Sequence, residues 1–195
     1  LRSKKTHRRL ILKAVHEQGA KILFFVSGGH PLRKLPGEGK PFAWMDSIEA
    51  LKLAKKMQKR GEIPKEIIMA ASADPYRFLT PKATVEEAIE ATIRDIQEKK
   101  PAGAELIFVQ PPLEPNYYEK WWMELLRRGL MKEFNFIVGA SIITDANNLE
   151  FWQTLTRINP DLPEAKALLD RWERAEREGR LEEFRLQWNT NLITW

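Results

Sequence analysis

The chain has 195 residues, and 32 Lys and Arg against 27 Asp and Glu leave a net charge of +5. Six of the basic side chains (Arg2, Lys4, Lys5, Arg8, Arg9 and Lys13) fall in residues 1–13, which hold no acid, so the remaining 182 residues sum to −1 and the basic pI does not call for a nucleic-acid partner. A hydrophobic content of 43% marks a globular composition, the lack of cysteine excludes disulfides, thiolate nucleophiles and Cys-ligated metals, and no run reaches the roughly 18 apolar residues of a membrane span.

The N-terminus is basic but has no apolar segment or small-residue cleavage site of the signal-peptide kind, so a cytoplasmic location is expected. Leu1 stands where Met would begin a protein and Trp195 ends the chain inside an amphipathic run, so both ends are expected to be cuts in a longer protein.

In chain order, a helical pattern over about 5–18 leads into the apolar run 21–27 (KILFFVS). Helices are predicted over 47–61, 83–100 and 116–129, separated by the runs 66–72 (EIIMAAS), 105–110 (ELIFVQ) and 135–141 (NFIVGAS). Each run is apolar on both faces, the pattern of a strand buried in a parallel sheet. Three further helices are predicted over 148–157, 163–178 and 180–195. Asp46 with Glu49, Thr84 with Glu87 and Asn147 with Glu150 have capping-box spacing, and Gly19, Gly61 and Gly129 follow helical segments as stop signals. Strands alternating with helices predict a single α/β domain with a parallel sheet over 1–195.

A dinucleotide-binding sheet calls for a Gly-rich turn tight against the first helix, and Ser27-Gly28-Gly29-His30-Pro31 is not that turn. A TIM barrel instead places its chemistry on the loops that follow the strands. In those loops Gly28 and Gly29 allow close backbone approach to a ligand, and His30 is a candidate donor or acid/base; a turn with an incidental histidine is the alternative. Ser72 and Asp74 end the second run, and Tyr76 could stack on a flat ligand; an Asx-type turn before Pro75 accounts for Asp74. Gln110 closes an otherwise apolar strand with a donor and an acceptor together, suited to reading the edge of a heterocycle, or to bonding backbone in a structural role. Ser141 and Asp145 close the fourth run, with Asp145 expected in the turn that enters a helix. Tyr117, Tyr118, Trp121 and Trp122 have the spacing of core residues, and three scattered histidines argue against a transition-metal site.

These strand ends resemble the methylenetetrahydrofolate reductase family, a flavin-dependent TIM barrel. The likeness runs from residue 5 to about 180 and is carried by Lys99, Ala102-Gly103-Ala104, the strand closing in Gln110, the strand 136–141 and Thr144-Asp145-Ala146-Asn147-Asn148. The resemblance implies a partial or truncated barrel lacking the family's first two strands and its last. It implies that Gln110 contacts the pterin of a folate, and that Lys99, with Asp95 at an asparagine's position, contacts the diphosphate or ribityl part of FAD. It also implies that Gly28 lies beside the flavin ring. Other flavin contacts depart from the family: its Arg-Gly-Asp turn reads Ser27-Gly28-Gly29, its Tyr-Pro-x-x-His reads Ser72-Ala73-Asp74-Pro75-Tyr76, and the arginine beside the lysine is Glu98. The family's strand-end glutamate that protonates the folate has no counterpart by position.

The expectation is therefore an oxidoreductase passing hydride through a flavin to a methylene-folate, with NAD(P)H or a partner protein as electron donor. The rival expectation is a non-catalytic folate- or flavin-binding subunit that acts only with a partner. Either way an oligomer or complex subunit is expected, without nucleic acid.

Overall fold

Capping chemistry decides where the helices begin. Glu49 N–H donates to the Asp46 carboxylate at 2.7 Å and Asp46 N–H donates back to the Glu49 carboxylate at 3.1 Å, the reciprocal pair expected from their spacing. Thr84 and Glu87 repeat the exchange at 3.1 and 2.9 Å. The third start is shifted. Asp145, not Asn147, is the cap, accepting from Asn148 N–H at 2.8 Å.

The computed structural model describes residues 4–26 and 46–194. In order these form α1 (Lys4–Leu12), which widens into a π-helical turn over Lys13–Glu17, then β1 (Ile22–Phe25), α2 (Ser47–Lys59), β2 (Ile68–Ala73) and α3 (Val85–Gln97). A short α4 (Lys99–Ala102) precedes β3 (Leu106–Val109), followed by α5 (Pro115–Arg127), a 3-10 turn at Leu130–Lys132 and β4 (Asn135–Val138). The chain ends in α6 (Ala146–Leu155), α7 (Pro163–Arg177) and α8 (Leu181–Thr194). The helix expected over 83–100 is thus two helices. The second stops at Gly103, whose φ of +111° favours glycine and where a Cβ would crowd Lys55 methylenes at 3.1 Å.

The four strands form one sheet in the order β1-β2-β3-β4. Ile22 pairs with Ile68 and Phe25 with Ala71 in parallel register. From β2 to β3, Glu105 N–H reaches Met69 O and Gln110 N–H reaches Ala73 O; from β3 to β4, Asn135 N–H reaches Glu105 O and Gly139 N–H reaches Val109 O. Partners advance together along both strands of each pair, so the sheet is parallel throughout and the α/β expectation holds.

Burial on both faces was expected of all four strands and is found in the middle two, apart from Ile68 at the start of β2. Met69, Ala70, Ala71, Ile107 and Val109 are buried, whereas Ile22 and Phe24 on β1 and Ile137 and Val138 on β4 are exposed. The outer strands have one neighbour each and so less cover. Phe24 and Phe108 meet at 4.7 Å between ring centroids, an approach that the small Ala70, paired with Phe24, permits.

The chain clusters into two compact units: Leu1–Ser72 with Ile96–Phe108 and Lys132–Phe136, and Ala73–Asp95 with Val109–Met131 and Ile137–Trp195. The first unit is cored by Leu51, Met57, Ile63, Met69 and Ile107. The second is cored by Tyr76, Ile93, Tyr118, Trp121 and Trp172, so most of the predicted aromatic cluster of α5 is packing. Among the described residues no helix is long and apolar enough to cross a membrane.

Candidate functional site

The segments that follow β2, β3 and β4 lie in the second unit. After β2 the chain turns at once. Tyr76 N–H donates to Asp74 Oδ1 at 3.1 Å, the Asx turn expected before Pro75. Burial pushes the Asp74 carboxyl up, opposed by that hydrogen bond and by the Arg157 and Arg77 guanidinium groups.

The turn drives Tyr76 inward. Its ring is fully buried, and its hydroxyl donates to Pro111 O at 2.9 Å and accepts from Glu114 N–H at 3.3 Å. Tyr117 donates to Pro75 O at 2.8 Å from the other side. Two tyrosines therefore tie the loop after β2 to the loop and helix after β3. Tyr76 presents no face to a flat ligand, because ring and hydroxyl are both spent on the packing of these loops.

Gln110 leaves β3 with its backbone held by Ala73 O at 3.3 Å. The residue is half-exposed, and among the described residues its carboxamide takes no hydrogen bond. Leu113 N–H then donates to Pro111 O at 2.9 Å, which curls the Pro-Pro segment into the start of α5. Pro115 occupies the first turn, where a missing N–H costs nothing.

Glu114 occupies the N-cap position ahead of Pro115 but makes no side-chain cap bond. It is only 8% exposed, and its Oε1 is buried without a hydrogen-bond partner. Burial, reinforced by the nearby Glu164 carboxylate, pushes its carboxyl up to about 7. A helix N-terminus stabilises a carboxylate by only about 0.3–1 kcal/mol, less than the cost of desolvating the charge, so burial wins. Sequence reasoning passed over this residue in favour of Gln110. The available signal was one acid flanked by Leu113 and Pro115 in an otherwise uncharged strand-end loop.

After β4, Gly139 lies against Val109 O and Pro111, where a Cβ would sit 3.2 Å from the carbonyl. Ser141 follows, 5% exposed, with its Oγ buried and without a hydrogen bond. Asn189 on α8 fixes the next turn, accepting from Ile143 N–H at 2.9 Å and donating to Ile143 O at 2.8 Å. Asp145 is the α6 cap, and its bonds from Asn148 N–H and the Thr144 hydroxyl hold its carboxyl below the usual range.

Gly28, Gly29 and His30 lie outside the described residues. Of the remaining flavin-contact candidates, Ser72 is half-buried and Lys99 is buried, both in the first unit, and Lys99 is engaged within the chain. Asp95 belongs to the second unit and pairs with Arg77 at 3.5 Å. Tyr76, Asp95 and Lys99 each have partners within the chain, and Tyr76, fully buried, offers no ring face to a flavin. Among the described residues no group of three His, Asp or Glu could hold a metal ion.

What the second unit does bring to the ends of β3 and β4 is a half-exposed carboxamide, a buried carboxyl and a buried hydroxyl: Gln110, Glu114 and Ser141. A scan of the chain against protein-family models finds no match, and a search of curated proteins finds none either.

Proposed function

We propose that the chain belongs to an oxidoreductase of the methylenetetrahydrofolate reductase type, built on a TIM-like barrel, and that it binds a methylene-folate by the pterin edge at Gln110. The observation that carries this reading is the state of Gln110. It closes a parallel strand at the carboxyl end, its backbone is pinned to β2, and its carboxamide is uncommitted among the described residues. A carboxamide placed there offers one acceptor and two donors, which suits the alternating donors and acceptors of a pterin edge.

In the reaction class, hydride goes to the methylene carbon and the folate is released as its methyl form. A reduced cofactor supplies that hydride, and the protein supplies binding and orientation. In this reading the hydride passes through a flavin, with NAD(P)H or a partner protein as the electron donor. The chain's own part is to align the pterin with Gln110 and to keep the loops after β2 and β3 rigid through Tyr76.

One observation favours a second reading, a folate-binding subunit without catalysis of its own: Tyr76 and Lys99 are buried and engaged within the chain. Calorimetric titration with 5-methyltetrahydrofolate tests what the two readings share. Binding is expected, weakened about tenfold by Gln110→Ala through the loss of about 1.4 kcal/mol of hydrogen bonding. No binding by the wild-type protein overturns both. Oxidation of NAD(P)H driven by methylenetetrahydrofolate, with the protein alone, decides for the enzyme; turnover seen only with a partner decides for the subunit.

A further inference from the structure

Glu114 and Ser141 follow the carboxyl ends of neighbouring strands, and each buries a polar atom that makes no hydrogen bond among the described residues. Unmatched buried polar atoms are rare in native proteins because each costs about 1–3 kcal/mol, more where a charge is involved. Local structure offers Glu114 an alternative that it does not take. Its carboxylate sits at a helix N-cap, where backbone N–H groups await an acceptor, yet no cap bond forms. The backbone on either side is anchored, N–H to the Tyr76 hydroxyl and C=O to Tyr118 N–H at 2.9 Å, so the side chain's position is imposed by a rigid frame. The charged and titratable groups acting on this carboxyl are Glu164 from α7 and Tyr76 from the loop after β2; neither is a cation.

We propose that Glu114 is an acidic ligand contact that accepts a hydrogen bond from an N–H of a nitrogen-rich heterocycle or amidine and loses its own proton as the contact forms. The Glu114 O–H bond breaks, the proton leaves to solvent, and the carboxylate is matched by the ligand N–H. A donor or a positive charge on the ligand relieves both the unmatched Oε1 and the repulsion from Glu164. The inference rests on the folate reading only for which heterocycle is bound. It needs neither Gln110 nor any flavin.

Calorimetry in two buffers of different ionisation heat counts the protons released. With 5-methyltetrahydrofolate as probe, the wild-type protein is expected to release close to one proton per ligand at pH 6 and almost none at pH 8. Its affinity should rise about tenfold over that interval as the carboxyl ionises. Glu114→Gln should bind more weakly at pH 8 and lose both the proton release and the pH dependence. Binding without proton release, equal in wild type and Glu114→Gln, overturns this proposal and leaves the folate reading standing. If the folate does not bind, benzamidine serves as the second probe: binding with proton release that Glu114→Gln abolishes upholds the proposal while the folate reading falls. Failure of both probes to bind the wild-type protein overturns it. The proton count uses unmodified protein, so the outcome does not depend on a variant folding.

Discussion

Gln58 in the first unit and Glu114 in the second are buried to nearly the same degree, 6% and 8% exposed. Gln58 spends its amide N–H groups: Nε2 donates to Pro64 O, Lys65 O and Ile67 O at 3.4, 3.2 and 2.8 Å, stapling the end of α2 to the turn that enters β2. Glu114 spends only its backbone and leaves Oε1 unmatched. Other buried atoms without a hydrogen bond, Ser141 Oγ and the indole N–H groups of Trp121, Trp172 and Trp188, also belong to the second unit. A buried polar group that closes a turn is structure. One held out of reach of such bonds by a rigid frame is a cost that folding does not repay, and that marks the second unit as the place to look for a ligand.

The sharpest way to break this contrast is through the pH dependence of stability. A carboxyl that goes from its ordinary value unfolded to about 7 folded holds its proton more tightly when folded. Its effect on stability is absent below the unfolded value, grows as pH rises from about 4.5 to 7, and is fully unfavourable above that. Glu114→Gln is therefore expected to stabilise the protein at pH 8 by on the order of 3 kcal/mol and to change it little at pH 4, measured by urea unfolding at both pH values. An equal effect at the two pH values would mean that Glu114 is not held neutral by burial.

Gln58→Leu attacks the other side of the comparison. It removes the Gln58 donor from Lys65 O and Ile67 O and should destabilise by about 2 kcal/mol, with no pH dependence between 5 and 8. A neutral result would make the staple ornamental and the contrast empty.

Tyr76→Phe should have the smallest effect, about 1 kcal/mol, from loss of the bonds to Pro111 O and Glu114 N–H. Its value lies in a second readout. With the anchor of Glu114 gone, the proton release on ligand binding should fall even where the fold is intact by circular dichroism. Unchanged proton release would show that the frame around Glu114 does not need Tyr76.

Much of the fold was legible because it depends on neighbours in sequence. Each observed strand matches a predicted apolar run, β2 reaching one residue past its run to Ala73, and the capping pairs Asp46–Glu49 and Thr84–Glu87 form as their spacing requires. The misses have local causes too. The helix over 83–100 breaks at Glu98, and the cap expected at Asn147 passes to Asp145, whose carboxylate reaches the Asn148 N–H two residues earlier in the frame. At the site, Asp74 was legible as an Asx turn because its partner is two residues away. Tyr76 was not, since its partners Pro111 and Glu114 are 35 and 38 residues distant.

The sequence by itself determined the alternation of strands and helices, the excess of charge on the first helix and the position of Gln110 at a strand end. These follow from periodicity, capping and composition, which act over a few residues. Only the tertiary structure decided which polar groups are spent and which are left over. Whether Lys99, Asp95 or Tyr76 faces a ligand or a neighbour, and whether Glu114 is a surface cap or a buried acid, depends on what other segments bring beside them. Burial and desolvation are properties of that assembled environment, and no spacing along the chain records them.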